Sequence, residues 1–181
     1  DSLILKSQLI NAKIKGDYQL TKIGPALTNT ISKYYNLSST PYAINDTAVI
    51  DPQQLSFNIR IEDDPIFNQL IPQMDFMEPI TITGRYNNIN DSILLNGNIT
   101  RHRYLDYKIV NTRINIENNE DALSYEVDID DVTSPQVQLF HTNLAGEIRD
   151  NSISYRLQID DSKGDAHYRI AGLMETEDTS N

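Results

Sequence analysis

Leu55-Ser56-Phe57-Asn58-Ile59-Arg60-Ile61-Glu62 alternates apolar and polar residues without a break. A period of two puts every second side chain on the same side of an extended backbone, so this stretch predicts a strand with one covered and one wet face. Ile80-Thr81-Ile82-Thr83-Gly84-Arg85-Tyr86 repeats the scheme. Outward from there it recurs at Ile93, Leu95, Gly97 and Ile99, then at Tyr125, Val127 and Ile129. Ile153, Tyr155, Leu157 and Ile159 follow, and last come Tyr168, Ile170 and Gly172. Between the runs sit Asn87-Asn88-Ile89-Asn90-Asp91, Asn118-Asn119-Glu120-Asp121, Asp150-Asn151 and Ser162-Lys163-Gly164-Asp165. Asn and Asp tolerate the left-handed region and bond their own backbone, which suits tight turns. Consecutive strands joined this way pair antiparallel as a meander.

Two stretches change parity. Leu105, Tyr107 and Ile109 give way to Val110, Thr112, Ile114 and Ile116 between Tyr104 and Ile116. Val137 and Leu139 likewise give way to Leu144, Gly146 and Ile148. A switch inside one strand predicts a bulge, which bends it and keeps its apolar set on one face. Strands of about 10 to 13 residues would reach roughly 33 to 43 Å, beyond the usual globular strand. Two short helices are expected near 24–36 and 64–71. The first carries Leu27, Ile31, Tyr34 and Tyr35 after Gly24-Pro25. The second carries Ile66, Phe67, Leu70 and Ile71 after Asp63-Asp64-Pro65 and stops before Pro72. Asp suits an N-cap and proline a first helical turn. Both helices read as plugs for a sheet edge or groove end. Residues 37–53 read as irregular, and no domain boundary is evident.

The composition agrees with a β protein. Among 181 residues about one in eight is Ile, and Tyr (10) dominates the aromatics with no Trp. Ile and Tyr suit half-buried pleated surfaces. The net charge of −11 excludes the clustered Lys and Arg that nucleic acid requires. It also disfavours docking on an anionic membrane surface. With no cysteine there is neither disulfide nor thiolate chemistry, as suits a periplasmic protein. No apolar window is long enough to cross a membrane as a helix. The chain opens within a strand-like pattern (Leu3-Ile4-Leu5), which reads as a piece of a larger protein.

Catalytic constellations are not evident, and the reading is non-enzymatic. His102, His141 and His167 are isolated in sequence and read as solvent-facing. Asp160-Asp161-Ser162-Lys163-Gly164-Asp165 lacks the ligand spacing of a calcium loop, and Asp128, Asp130 and Asp131 read with it as solvated turn carboxylates. The acceptor patterns at Asn36, Asn45, Asn90 and Asn98 are expected by chance in so Asn-rich a chain. No metal or cofactor is expected.

What remains is a surface. Leu55, Phe57, Ile59, Ile61, Ile80, Ile82, Ile93, Leu95, Ile114, Ile116, Tyr125, Val127, Ile129, Leu157 and Ile159 form one candidate apolar sheet face. Contiguous exposed patches of more than a few hundred Å² are rare on soluble monomers, so something must cover it. The sheet could close on itself as a sandwich or barrel, or curl into a trough that holds a ligand. Periodicity alone favours self-packing.

Three stretches resemble the C-terminal half of TamB-type proteins of Bacteroidota, within the AsmA-like group. They are Ile14-Lys15-Gly16-Asp17-Tyr18-Gln19-Leu20; Asp64 to Pro72 with Ile82-Thr83-Gly84-Arg85-Tyr86; and Leu144-Ala145-Gly146-Glu147-Ile148 with Asp150–Ile153, Asp160–Gly164 and Tyr168–Gly172. The resemblance spans nearly the whole chain. It implies an all-β fold, a long antiparallel meander curled into a trough (a β-taco) with an apolar interior. It implies a periplasmic protein anchored in the inner membrane at full length, facing an outer-membrane barrel partner. It further implies passage of phospholipid acyl chains between the membranes, or assembly of outer-membrane proteins by strand augmentation. The fifteen residues above would then line the groove. An adhesin-like β-sandwich is the remaining structural reading.

Overall fold

A computed structural model describes residues 1–35, 51–119 and 121–175, apart from the side chain of Asn68. Its strands form one antiparallel sheet. The main path runs through ten strands: β1 (Ser2–Lys6), β2 (Ile10–Asp17), β3 (Gln54–Ile61), β5 (Ile80–Asn87), β6 (Ser92–Tyr104), β7 (Tyr107–Asn118), β8 (Leu123–Thr133), β10 (Thr142–Arg149), β11 (Ser152–Asp160) and β12 (Ala166–Glu175). Two short strands widen it at one end: β4 (Met74–Met77) pairs with β6, and β9 (Gln138–Leu139) with β8. The all-β expectation holds, as one open sheet whose lateral edges are β1 and β12.

Local chemistry explains the strand order. Asp150 and Asn151 both take positive φ, 51° and 60°, as a two-residue turn between right-twisted strands needs. Asn119 closes the β7–β8 turn, its Oδ1 accepting from the backbone N–H of Asp121 and of Ala122 at 2.9 Å each. The long strands are present, with 13 residues in β6, 12 in β7 and 11 in β8.

The parity changes resolve differently from a single bulge. Tyr104 ends β6 and pairs with Tyr107 at the head of β7, so Leu105-Asp106 is a hairpin turn with Leu105 at φ 51°. The run from Tyr104 to Ile116 is therefore not one strand. Within β7 the change falls at Asn111, held at φ 53°, where the pairing with β6 and β8 is interrupted. The second change is a break between β9 and β10 at Phe140-His141, both strands pairing with β8.

The helices also depart from expectation. Helix α1 spans Leu20–Ser32, starting before Gly24 and ending earlier than expected, with Pro25 inside it. Its entry is fixed from outside: the Gln19 backbone N–H donates to Gln53 Oε1 at 2.7 Å. Tyr34 is buried in the turn beyond α1, and position 36 lies outside the described residues. Helix α2 is five residues, Ile66–Leu70, and Asp64 Oδ1 accepts from Ile66 N–H at 2.9 Å. Proline precedes this helix rather than opening it.

Candidate functional site: one apolar face and a charged ladder behind it

Residues directly opposite in neighbouring strands share a face of the sheet. Leu5, Ala12, Ile59, Ile82, Gly97, Ile114, Val127, Leu144, Leu157 and Ile170 are successive partners across all ten strands. A second row runs beside it through Leu3, Ile14, Phe57, Gly84, Leu95, Ile116, Tyr125, Gly146, Tyr155 and Gly172. A third holds Ile10, Ile61, Ile80, Ile99, Thr112, Ile129, Thr142, Ile159 and Tyr168. The fourth contains Gly16, Leu55, Tyr86 and Ile93, then Asn118, Leu123, Ile148, Ile153 and Met174. Ile93 N–H donates to Asn118 Oδ1 at 2.6 Å and joins its two halves.

All fifteen candidate residues fall in these rows. The structure therefore places them on one face. Leu55 is buried and the other fourteen are half-buried. The candidate face left out further members, among them Ile14, Leu144 and Ile170, which belong because register aligns them. Towards the edges the rows become exposed, with Leu3 at 40 % and Ile170 at 52 %.

Aromatic rings and glycines alternate on this face. An added Cβ at Gly84 would lie 2.4 Å from the ring of Phe57. At Gly146 it would lie 2.6 Å from the Tyr125 hydroxyl, and at Gly172 2.5 Å from the Tyr155 ring. Each ring thus occupies the space its cross-strand neighbour leaves empty. Tyr125 reaches across β10, its hydroxyl donating to the Ser154 carbonyl at 3.0 Å.

One end of the face is covered. Helix α1 seats Ala26 against Leu55 and Tyr86, with Ile14, Tyr18, Ile23, Leu27, Phe57 and Ile93 packed around them. Thr30 is fully buried, its hydroxyl 2.9 Å from that of Tyr86, and burial raises the Tyr86 pKa. Beyond the helix, Asn118 Nδ2 donates to the Tyr34 hydroxyl at 2.7 Å, which donates to the Asn119 carbonyl at 3.1 Å. A polar cleft of about 780 Å³ opens beside it, lined by Lys33, Tyr34, Asp91, Asn118, Arg149 and Asp150 among others. Gln53, read as irregular, is fully buried here, with its backbone N–H on Asn88 Oδ1 at 2.6 Å. The plug expectation fits α1. It does not fit α2, where Ile66, Leu70 and Ile71 remain exposed.

The wet face carries charge in order. Arg113 on β7 pairs with Asp128 and Asp130 of β8. His141 stands between two carboxylates, with Nδ1 2.8 Å from Asp160 and Nε2 2.7 Å from Asp128. It is therefore not an isolated histidine, and Asp128 and Asp130 are not simply solvated. The hydrogen bond to Asp160, then that to Asp128, raises the His141 pKa above 6.5. For Asp128, burial pushes upward, but hydrogen bonds from His141, Arg113 and Asn143 together hold it below 3.8. Bonds from Arg113, then Asn111, lower Asp130. Bonds from His141, then Gln158, lower Asp160. Carboxylates occupy both ring nitrogens, so neither nitrogen is placed to activate a hydroxyl.

The other two histidines differ. His102 is half-buried, its Nδ1 lacks a hydrogen-bond partner, and burial lowers its pKa. His167 is exposed beside the Tyr168 ring at 4.2 Å. In the Asp160–Asp165 loop, Asp161 Oδ1 accepts from the backbone N–H groups of Lys163 and Asp165. Among the described residues no three His, Asp or Glu side chains converge as a metal site. Nor is any helix among them long and apolar enough to cross a membrane. No family model, curated protein or solved structure matches the chain.

Proposed function

We propose that this chain is a non-enzymatic, lipid-handling β-sheet segment of the TamB type, its apolar face curled into a trough for phospholipid acyl chains in the periplasm. The carrying observation is the set of four mainly apolar rows, three of them unbroken in register, half-exposed outside the part that α1 covers. Burial of acyl chain on such a surface is worth about 0.8 kcal/mol per CH₂ and needs no polar pocket. A lining of Ile, Leu, Val and Tyr grips no headgroup, so it fits a conduit or shelter better than a selective site.

The test is native mass spectrometry and lipid extraction of the purified chain, with Ile82→Arg and Leu95→Arg as variants. Co-purifying phospholipid, lost in both variants while the fold persists by circular dichroism, is the expected result. A wild-type chain without lipid, whose face is protected by its own side chains, overturns the reading.

The exposed lateral strands favour a second reading, a scaffold that adds strands of unfolded outer-membrane proteins to β1 or β12. It predicts the converse pattern. Ile170→Pro would abolish binding of an unfolded barrel peptide, while Ile82→Arg would leave it intact.

A further inference from the structure

Behind the apolar rows, the β9–β10 break is tied by a group whose bonding capacity depends on its proton count. His141 lies in that break, and its ring bridges Asp128 on β8 to Asp160 at the end of β11. Its own carbonyl accepts from the Asp160 backbone N–H at 2.9 Å, so the ring and the backbone hold the same neighbour. The ring therefore stands in line with β10 and ties the strands on its two sides, β8 and β11, to each other.

A neutral imidazole has one N–H and one lone pair, whereas an imidazolium has two N–H donors. Carboxylates accept only. With both ring nitrogens within 2.8 Å of carboxylate oxygens, the neutral ring would set a lone pair against an anion. We propose that His141 is a proton-operated strap, closed as the imidazolium and loosened as the neutral ring, that holds the β9–β10 junction to the sheet.

The surroundings are arranged for the cation. Asp128 and Asp130 face it from β8 and Asp160 from β11. Arg113 on β7 offsets Asp128 and Asp130, and Arg169 on β12 acts on Asp160. Asn143 on β10 fixes Asp128 at 3.3 Å and bonds Glu126 at 2.7 Å. Gln158 holds the other oxygen of Asp160 at 2.8 Å. Asp160 is only 8 % exposed, so its unpaired charge would be poorly served by water.

The direction with pH follows. The His141 pKa is raised on folding, so its stabilisation is complete below 6.5 and is lost as pH rises through its folded value. Asp128 and Asp160 are lowered, so their share is complete above 3.8 and is lost as pH falls through their folded values. The strap is thus closed from mildly acidic pH up to the His141 midpoint.

The chain has 3 histidines, so their ring signals can be titrated separately by NMR in the full chain. The His141 midpoint is expected to lie above 6.5, the ordinary imidazole value, and to drop in Asp160→Asn. Amide exchange at residues 140–142, corrected for the intrinsic rate, is expected to accelerate several-fold above that midpoint. His141→Gln should abolish the step and leave exchange in β3 and β5 unchanged. A His141 midpoint at or below 6.5, or a step that persists in His141→Gln, overturns the proposal.

Discussion

The two ends of the sheet handle apolar surface in opposite ways. At one, α1 lays Ala26 and Thr30, both fully buried, onto Leu55 and Tyr86, and the buried Thr30 hydroxyl bonds the Ala26 carbonyl and the Tyr86 hydroxyl. At the other, α2 exposes Leu70 at 68 %, and Phe76 and Leu105 are exposed beside the β4 and β6–β7 segments. The difference lies in length and in bonding. Helix α1 has 13 residues and is anchored at its start by the buried Gln53 side chain, whereas α2 has five and lies against β4. A helix covers a sheet when it is long enough to present a stripe and when its ends are satisfied by the sheet's own loops.

Substitutions can break that contrast. Leu55→Ala should cost about 3 kcal/mol, because it opens a cavity beneath Ala26 where the helix cannot collapse. The midpoint of urea unfolding measures it, and a loss below 1 kcal/mol on the order seen at surface sites would mean α1 is not seated. Tyr86→Phe should cost about 1 kcal/mol, since the Thr30 hydroxyl keeps its bond to the Ala26 carbonyl and loses one partner. Leu70→Ala should shift the same midpoint by under about 0.5 kcal/mol, having little burial to lose. A larger shift would show that α2 is covered in solution.

Much of the sheet is legible in the chain because period two and turn chemistry are local signals. The Leu55–Ile61 run and the Asp150-Asn151 turn specify β3 and the β10–β11 hairpin without help from afar. Parity also assigns the fifteen candidate residues to one side. Register does what parity cannot. It is set between strands, and it decides which residues Ile14, Leu144 and Ile170 stand beside in the rows. The start of α1 is hidden for a similar reason, since Gln53 fixes it from 34 positions away and Pro25 suggests a later first turn. His141 looks solitary because Asp128 and Asp160 reach it from separate strands. Tertiary partners of this kind leave no trace in spacing.

The pairing of rings with glycines has one more consequence. Phe57, Tyr125 and Tyr155 lie over vacant sites on adjacent strands and do not stand up from the sheet. The largest side chains therefore add little relief. A flexible hydrocarbon resting there would meet neither posts to climb nor pits to fall into, and its displacement along the strands would encounter low resistance. Filling a vacancy, as in Gly84→Ala, would press a Cβ on both the Phe57 ring and the Leu94 carbonyl, so ring and strand would have to shift and the surface would roughen at that point.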